Sequence, residues 1–121
     1  MWAASGRGTG IVAGRSNRSL AVTARTMSAR AKAISTEIED NDRVKITEWR
    51  FAPGAETGWH LHTMDYIVIY RTAAQLLIES KQGESSVQMA EGELYFRRAG
   101  VEHNVINSGG TEVVFLETEL K

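Results

Sequence analysis

From residue 43 to the C-terminus, apolar and polar positions alternate in short runs rather than in helical stripes. The runs are Val44–Phe51, Trp59–His62, Tyr66–Arg71, Gln75–Glu79, Ser86–Met89, Leu94–Arg97, His103–Ile106 and Glu112–Leu120. Turn-forming residues separate them: Pro53-Gly54, Gly58, Gly83, Gly92, Gly100 and Ser108-Gly109-Gly110. Eight short strands spaced by about 8–12 residues predict an all-β sandwich or barrel, not a βαβ fold. No stretch past residue 43 holds a 3.6-residue period for three turns. In the last run Val114, Leu116 and Leu120 alternate with Glu117 and Glu119, the pattern of a half-buried strand with its glutamates in solvent. Val113 and Phe115 break that alternation, so part of the strand is expected to be covered on both faces. The first run changes parity between Ile46 and Trp49, which suggests a bulge or an oligomer contact.

Charge divides the 121 residues differently. The formal net charge is −1, yet the first acidic residue is Glu37. Residues 1–36 hold six of the fourteen Lys and Arg residues and none of the fifteen acids, so they are positive by six and the remainder is negative by seven. Arg18, Arg25 and Lys32 recur every seven residues, as do Leu20, Met27 and Ile34 two positions later, which places the two sets on opposite faces of a helix. Residues 1–36 are therefore expected to be a leader outside the core. Three readings of it stay open: a transit peptide, a disordered basic tail, and translation upstream of a start at Met27. Residues 37–121 are expected to form one domain. The cytoplasm is the expected location, or an organelle matrix if residues 1–30 are a transit peptide.

Composition removes several function classes. There is no cysteine, hence no disulfide, thiolate ligand or Cys nucleophile. No apolar run approaches the ~18–20 residues of a membrane span. An acidic main segment argues against nucleic acid as partner, because phosphate binding needs clustered Lys and Arg. The glycines at 6, 8, 10 and 14 have no strand before them and no Lys-Ser/Thr after them, so they are not a phosphate loop.

The chain has three histidines: His60, His62 and His103. In an extended run, His60-x-His62 sends both imidazoles from one face, with Cα atoms about 6.5–7 Å apart. Two such rings can converge on one ion, and His103 is the one histidine left to join them. By the same parity Tyr66 points to the histidine face and Asp65 away from it.

These residues also carry a resemblance to the cupin superfamily. Gly54, five residues and His60-Leu61-His62 match its first motif. Gly92, five residues, Arg98-Ala99-Gly100, two residues, His103, three residues and Asn107 match the spacing of its second. The chain departs from the motifs twice: Tyr66 stands where the first has Glu, and Arg98 where the second has Pro. The resemblance covers about residues 42–121 and is nearest to the small single-domain bacterial cupins, some of which carry the label β-alanine degradation protein.

The resemblance implies a double-stranded β-helix, or jelly-roll barrel, with one divalent metal ion held by His60, His62 and His103. Fe, Zn, Ni and Mn all remain open, since imidazole suits several of these ions. Tyr66, a shifted Asp65 or water would complete the coordination. Such a site polarises a carbonyl or carboxylate, or acidifies bound water. Tyr66 is the candidate acid/base; Arg97 and Arg98 are candidates to meet a substrate carboxylate; Asn107 is a supporting residue that would hold the following turn. A metal-dependent enzyme on a small organic acid or carbonyl compound is expected, of dioxygenase or lyase/isomerase type; the alternative is a non-catalytic cupin that binds or senses a small ligand. A barrel of about 85 residues has little core of its own, and small cupins pair by strand exchange, so a homodimer through residues 37–50 and the last strand is expected.

Overall fold

The computed structural model describes residues 29–121; the expectations for residues 1–28 lie outside them. Among the described residues nine strands form: β1 (Ile34–Asp40), β2 (Val44–Phe51), β3 (His60–Leu61), β4 (Asp65–Tyr70), β5 (Ala74–Ser80), β6 (Gly83–Met89), β7 (Leu94–Arg97), β8 (Glu102–Asn107) and β9 (Val113–Leu120). No helix occurs among the described residues, so none is long and apolar enough to cross a membrane.

The strands pair antiparallel in two sheets, one in the order β1-β2-β9-β4-β7 and the other β3-β8-β5-β6. The chain passes from one sheet to the other after β2, β3, β4, β6, β7 and β8, which winds it as a double-stranded β-helix. The core lies between the sheets. Phe115 packs at 5.4 Å from Phe51 and 5.2 Å from Tyr70, ring centre to ring centre, with Val68, Leu76 and Val105 around them.

Three differences from the sequence reading have physical causes. First, the fold begins before residue 37. β1 starts at Ile34, and ahead of it Ala31 and Ala33 exchange backbone hydrogen bonds with Glu56 at 3.0 and 2.8 Å. Arg30 adds an ion pair to Glu56 at 3.2 Å. β1 leaves no periodic signal because every residue in it is exposed, so no buried face patterns its sequence.

Second, β2 runs in unbroken register with β9 from Val44 to Phe51. The irregularity is in β1, between Glu37 and Glu39. The parity change in β2 reflects a strand that is apolar on both sides: Trp49 and Phe51 face the core, and Ile46 faces out.

Third, β9 is turned over. Val113, Val114 and Phe115 are all buried, as the double-sided reading required. Beyond them, Glu117 and Glu119 face inward and Leu116 and Leu120 face out. Alternation misled there because the barrel interior is polar at this end, while the outer sheet face is apolar.

Candidate metal centre

His60 in β3 pairs directly with His103 in β8, and His62 follows at the end of the short strand. The three rings meet inside the barrel. His62 Nε2 lies 3.0 Å from His60 Nε2 and 3.3 Å from His103 Nε2. Two donors bound at about 2.1 Å to one ion can be at most about 4.2 Å apart, so both distances suit a shared cation.

The loop before β3 fixes the orientation of His60. Its Nδ1 lies 2.8 Å from the Gly58 carbonyl. A carbonyl can only accept, so Nδ1 carries the hydrogen and Nε2 presents a bare lone pair to the other two rings. Gly58 has φ +88, a conformation that an L side chain rarely adopts. Its N–H donates to Asn104 Oδ1 at 3.0 Å. Buried Asn104 in turn donates to Glu56 at 2.8 Å and Glu79 at 3.0 Å. Thr57 Oγ1 sits 3.3 Å from His60 Nδ1 and accepts from Val105 N at 3.1 Å.

Burial, with His60 as the next contribution, pushes His62 and His103 down to about 4. Both are therefore neutral at pH 7, the form that ligates a metal. Tyr66 from β4 stacks on His62, with ring centres 3.9 Å apart and planes 17° apart. Burial raises its phenol well above the usual range, with Tyr95 and Glu117 adding to the effect. In the protein without metal, Tyr66 is thus a proton or hydrogen-bond donor rather than a base.

Glu117 was not expected here. From β9 it approaches His62, with Oε2 3.8 Å from Nε2. Its Oε1 accepts from Trp49 Nε1 at 3.3 Å. Burial, reinforced by Glu119, outweighs that hydrogen bond and raises the carboxyl to about 7. The sequence did hold a signal: had the strand's parity been set by Val113 and Phe115, Glu117 would have fallen on the inner face.

The other expected residues are more dispersed. Asp65 points away from the histidines and accepts from Ala99 N at 2.8 Å. Arg98 is exposed in the turn after β7. Asn107 is buried, accepting from Gly109 N at 3.0 Å and donating to the carbonyls of Thr111 and Phe51. These bonds tie it to the turn after β8, and it has no hydrogen bond to the histidines.

The three histidines, Tyr66, Trp49 and Glu117 line a cavity of about 20 Å³, large enough for one ion or water. Tyr66, Tyr70, Tyr95 and His103 also line an adjoining chamber of about 190 Å³. Arg97 lies on its wall, its guanidinium 4.2 Å from the Tyr95 ring centre. Among the described residues no carboxylate pairs with Arg97. The donor set fits a divalent ion: three imidazoles converge on an ion-sized space, and an acidic group stands beside it.

Comparison with known proteins gives a consistent result. Residues 47–119 match the family model described as "Cupin domain". The chain is 54% identical over 95 residues to the Beta-alanine degradation protein BauB of Pseudomonas aeruginosa, which covers 78% of this chain and all of that protein. It is 53% identical to a cupin domain from Bordetella pertussis of known crystal structure, with a TM-score of 0.76 over 78% of this chain and 99% of that one. An RmlC-like cupin family protein with a double-stranded β-helix fold, from Methanocaldococcus jannaschii, shares the fold alone. It has a TM-score of 0.63 at 12% identity, over 82% of this chain and 86% of that one.

Proposed function

Because the chain belongs to the cupin domain family, we propose that it is a metal-dependent enzyme acting on a small organic acid or carbonyl compound. The observation that carries this reading is the convergence of the His60, His62 and His103 Nε2 atoms on an ion-sized cavity that adjoins a chamber walled by Arg97, whose guanidinium donates to the Phe96 carbonyl and has no carboxylate partner among the described residues. His60, His62 and His103 would hold the ion. When bound, a divalent metal supplies Lewis-acid polarisation of a substrate oxygen, and a redox-active one supplies O₂ chemistry.

The chain's own residues have separable roles in this proposal. The Gly58 carbonyl holds the proton of His60 on Nδ1. Arg97 receives the substrate carboxylate; stacking on Tyr95 limits the rotamer freedom lost when it binds. Arg98, exposed in its turn, drops out of that role. Tyr66 donates a proton or hydrogen bond to a developing oxyanion. The aromatic walls of the chamber exclude water. BauB is named for β-alanine degradation, and we carry that neighbourhood here as part of the proposal: β-alanine and three-carbon oxo and hydroxy acids are the first substrates to try.

We also propose that the chain pairs with a second copy of itself. The outer face of the five-stranded sheet carries one apolar row across β9, β4 and β7, Leu116, Ile69 and Leu94, and a second pair on β4 and β7, where Ile67 stands opposite Phe96 with Thr118 beside it on β9. Leu94 and Phe96 are 61% and 46% exposed, a continuous apolar surface of the kind that marks an interface. In this proposal the interface is this face, to which Leu116 and Leu120 of the last strand belong, rather than residues 37–50.

The functional test is turnover of the acid panel by the metal-stripped protein and by protein reloaded with Fe(II), Mn(II), Ni(II) or Zn(II), with and without O₂. Metal-dependent turnover supports the enzyme, and its O₂ requirement separates a dioxygenase from a lyase or isomerase. Stoichiometric metal, tight ligand binding and silence on every substrate would instead make it a binding cupin.

A further inference from the structure

Glu117 has no place in the cupin motifs, yet it occupies the position that most needs a carboxylate. The first motif's acid is replaced by Tyr66 on β4, and the Tyr66 ring is committed to stacking on His62. The neighbouring Asp65 lies on the other face of the strand, bound to Ala99 N. β9 pairs with β4, with Val68 opposite Glu117. A carboxylate from the adjacent strand therefore enters the same end of the barrel.

The details favour Glu117 over its neighbours. Trp49 holds Oε1 and leaves Oε2 turned toward His62 at 3.8 Å. That is within the ~4.2 Å that two donors on one ion can span. Glu117 lines the ion-sized cavity together with all three histidines, whereas Glu119, also inward and near, does not. Among the described residues no Lys or Arg forms an ion pair with Glu117, so a largely buried carboxyl, 12% exposed, stands beside the site without a directly paired cation.

We propose that Glu117 is the fourth protein ligand of the metal, supplied by the last strand in place of the missing carboxylate of the first motif. The proposal rests on the three-histidine metal site. In the described arrangement the Glu117 carboxylate is near His62 but lies more than 4.8 Å from the ligand nitrogen of at least one of the other two histidines, beyond the ~4.2 Å that two donors on one ion span, so the proposal requires Oε2 to close on the ion by side-chain rotation when metal enters. Three neutral imidazoles and one carboxylate would reduce the net charge of a dication to +1. On a six-coordinate ion they leave room for two further donors, which suits a bidentate acid better than a monodentate one.

Cobalt(II) titration of the full chain tests this, because its visible spectrum reports the donors directly. Wild type, Glu117→Gln, Glu117→Ala and His62→Ala are compared for affinity and spectrum, with circular dichroism of the metal-free proteins as the folding control. Glu117→Gln keeps an acceptor for Trp49, so it carries the test if Glu117→Ala does not fold. The expected result is one Co(II) per wild-type chain, and in Glu117→Gln an affinity reduced by tenfold or more together with altered visible bands. A Glu117→Gln spectrum identical to wild type, at any affinity, overturns the ligand assignment while leaving the histidine site standing. Wild type that binds no Co(II) overturns both.

Discussion

Glu117 Oε2 and His62 Nε2 face each other at 3.8 Å inside the barrel. They are a carboxyl raised to about 7 and an imidazole lowered to about 4. Both shifts arise first from burial, and both favour the uncharged form. The metal-free protein therefore carries a site whose acid and base are each held back from ionising, and a cation reverses the balance for the acid.

The pH dependence of metal-free stability follows from these shifts. His62 and His103 bind fewer protons folded than unfolded between about pH 4 and 6.5. Their contribution is thus complete above pH 6.5 and is lost as pH falls toward 4. Glu117 has the opposite sign: its contribution is complete below pH 4.5 and is lost as pH rises through about 7. Metal-free Glu117→Gln should therefore be more stable than wild type at pH 8, by about 1–3 kcal/mol, and equal to it near pH 4.5. Thermal melts at the two pH values check this. Equal stability at pH 8 would show that burial does not hold the carboxyl back.

Tyr66→Phe keeps the ring that stacks on His62 and removes only the hydroxyl. Metal affinity should stay within about threefold while kcat falls by about 10²-fold, the range for loss of a positioned proton donor. Unchanged kcat with a bound metal would reduce Tyr66 to a wall of the cavity.

Arg97 and Arg98 are adjacent in sequence, but only Arg97 lines the chamber. Arg97→Met should raise KM for a carboxylate substrate by about 10–100-fold, the loss of a charge-assisted bidentate contact. Arg98→Met should leave KM within about twofold. Equal effects at the two positions would point to general charge attraction rather than a specific contact.

The apolar outer sheet face can be tested without touching the site. Phe96→Glu combined with Leu94→Lys should convert a dimer to a monomer at micromolar concentration, measured by light scattering, with circular dichroism unchanged. A wild-type monomer, or a dimer that survives both changes, would remove this face as the interface.

Most of the fold was legible because turn residues punctuate the chain. The eight strands expected from the pattern are β2 to β9, displaced by a few residues at their ends. β1 was not legible: Ile34–Asp40 has no buried face, and its stability comes from pairing with β2. The histidines were legible because strand parity sends His60 and His62 to one side. Glu117 was not, because amphipathic alternation assumes a greasy interior. Here the interior holds a polar cavity, and the leucines of β9 lie on an apolar outer face. The supporting residues Thr57 and Asn104 depend on a loop folding back at Gly58, which no periodicity encodes.

The proposed function requires that His60, His62 and His103 hold one divalent metal ion. Equilibrium dialysis of the full chain against micromolar Zn(II), with metal measured by mass spectrometry, reads that out. Wild type should retain one ion per chain, and the His60→Ala/His62→Ala variant, with an unchanged circular dichroism spectrum, should retain none. Equal metal in the two proteins, or none in wild type, would show that these histidines do not form the metal site.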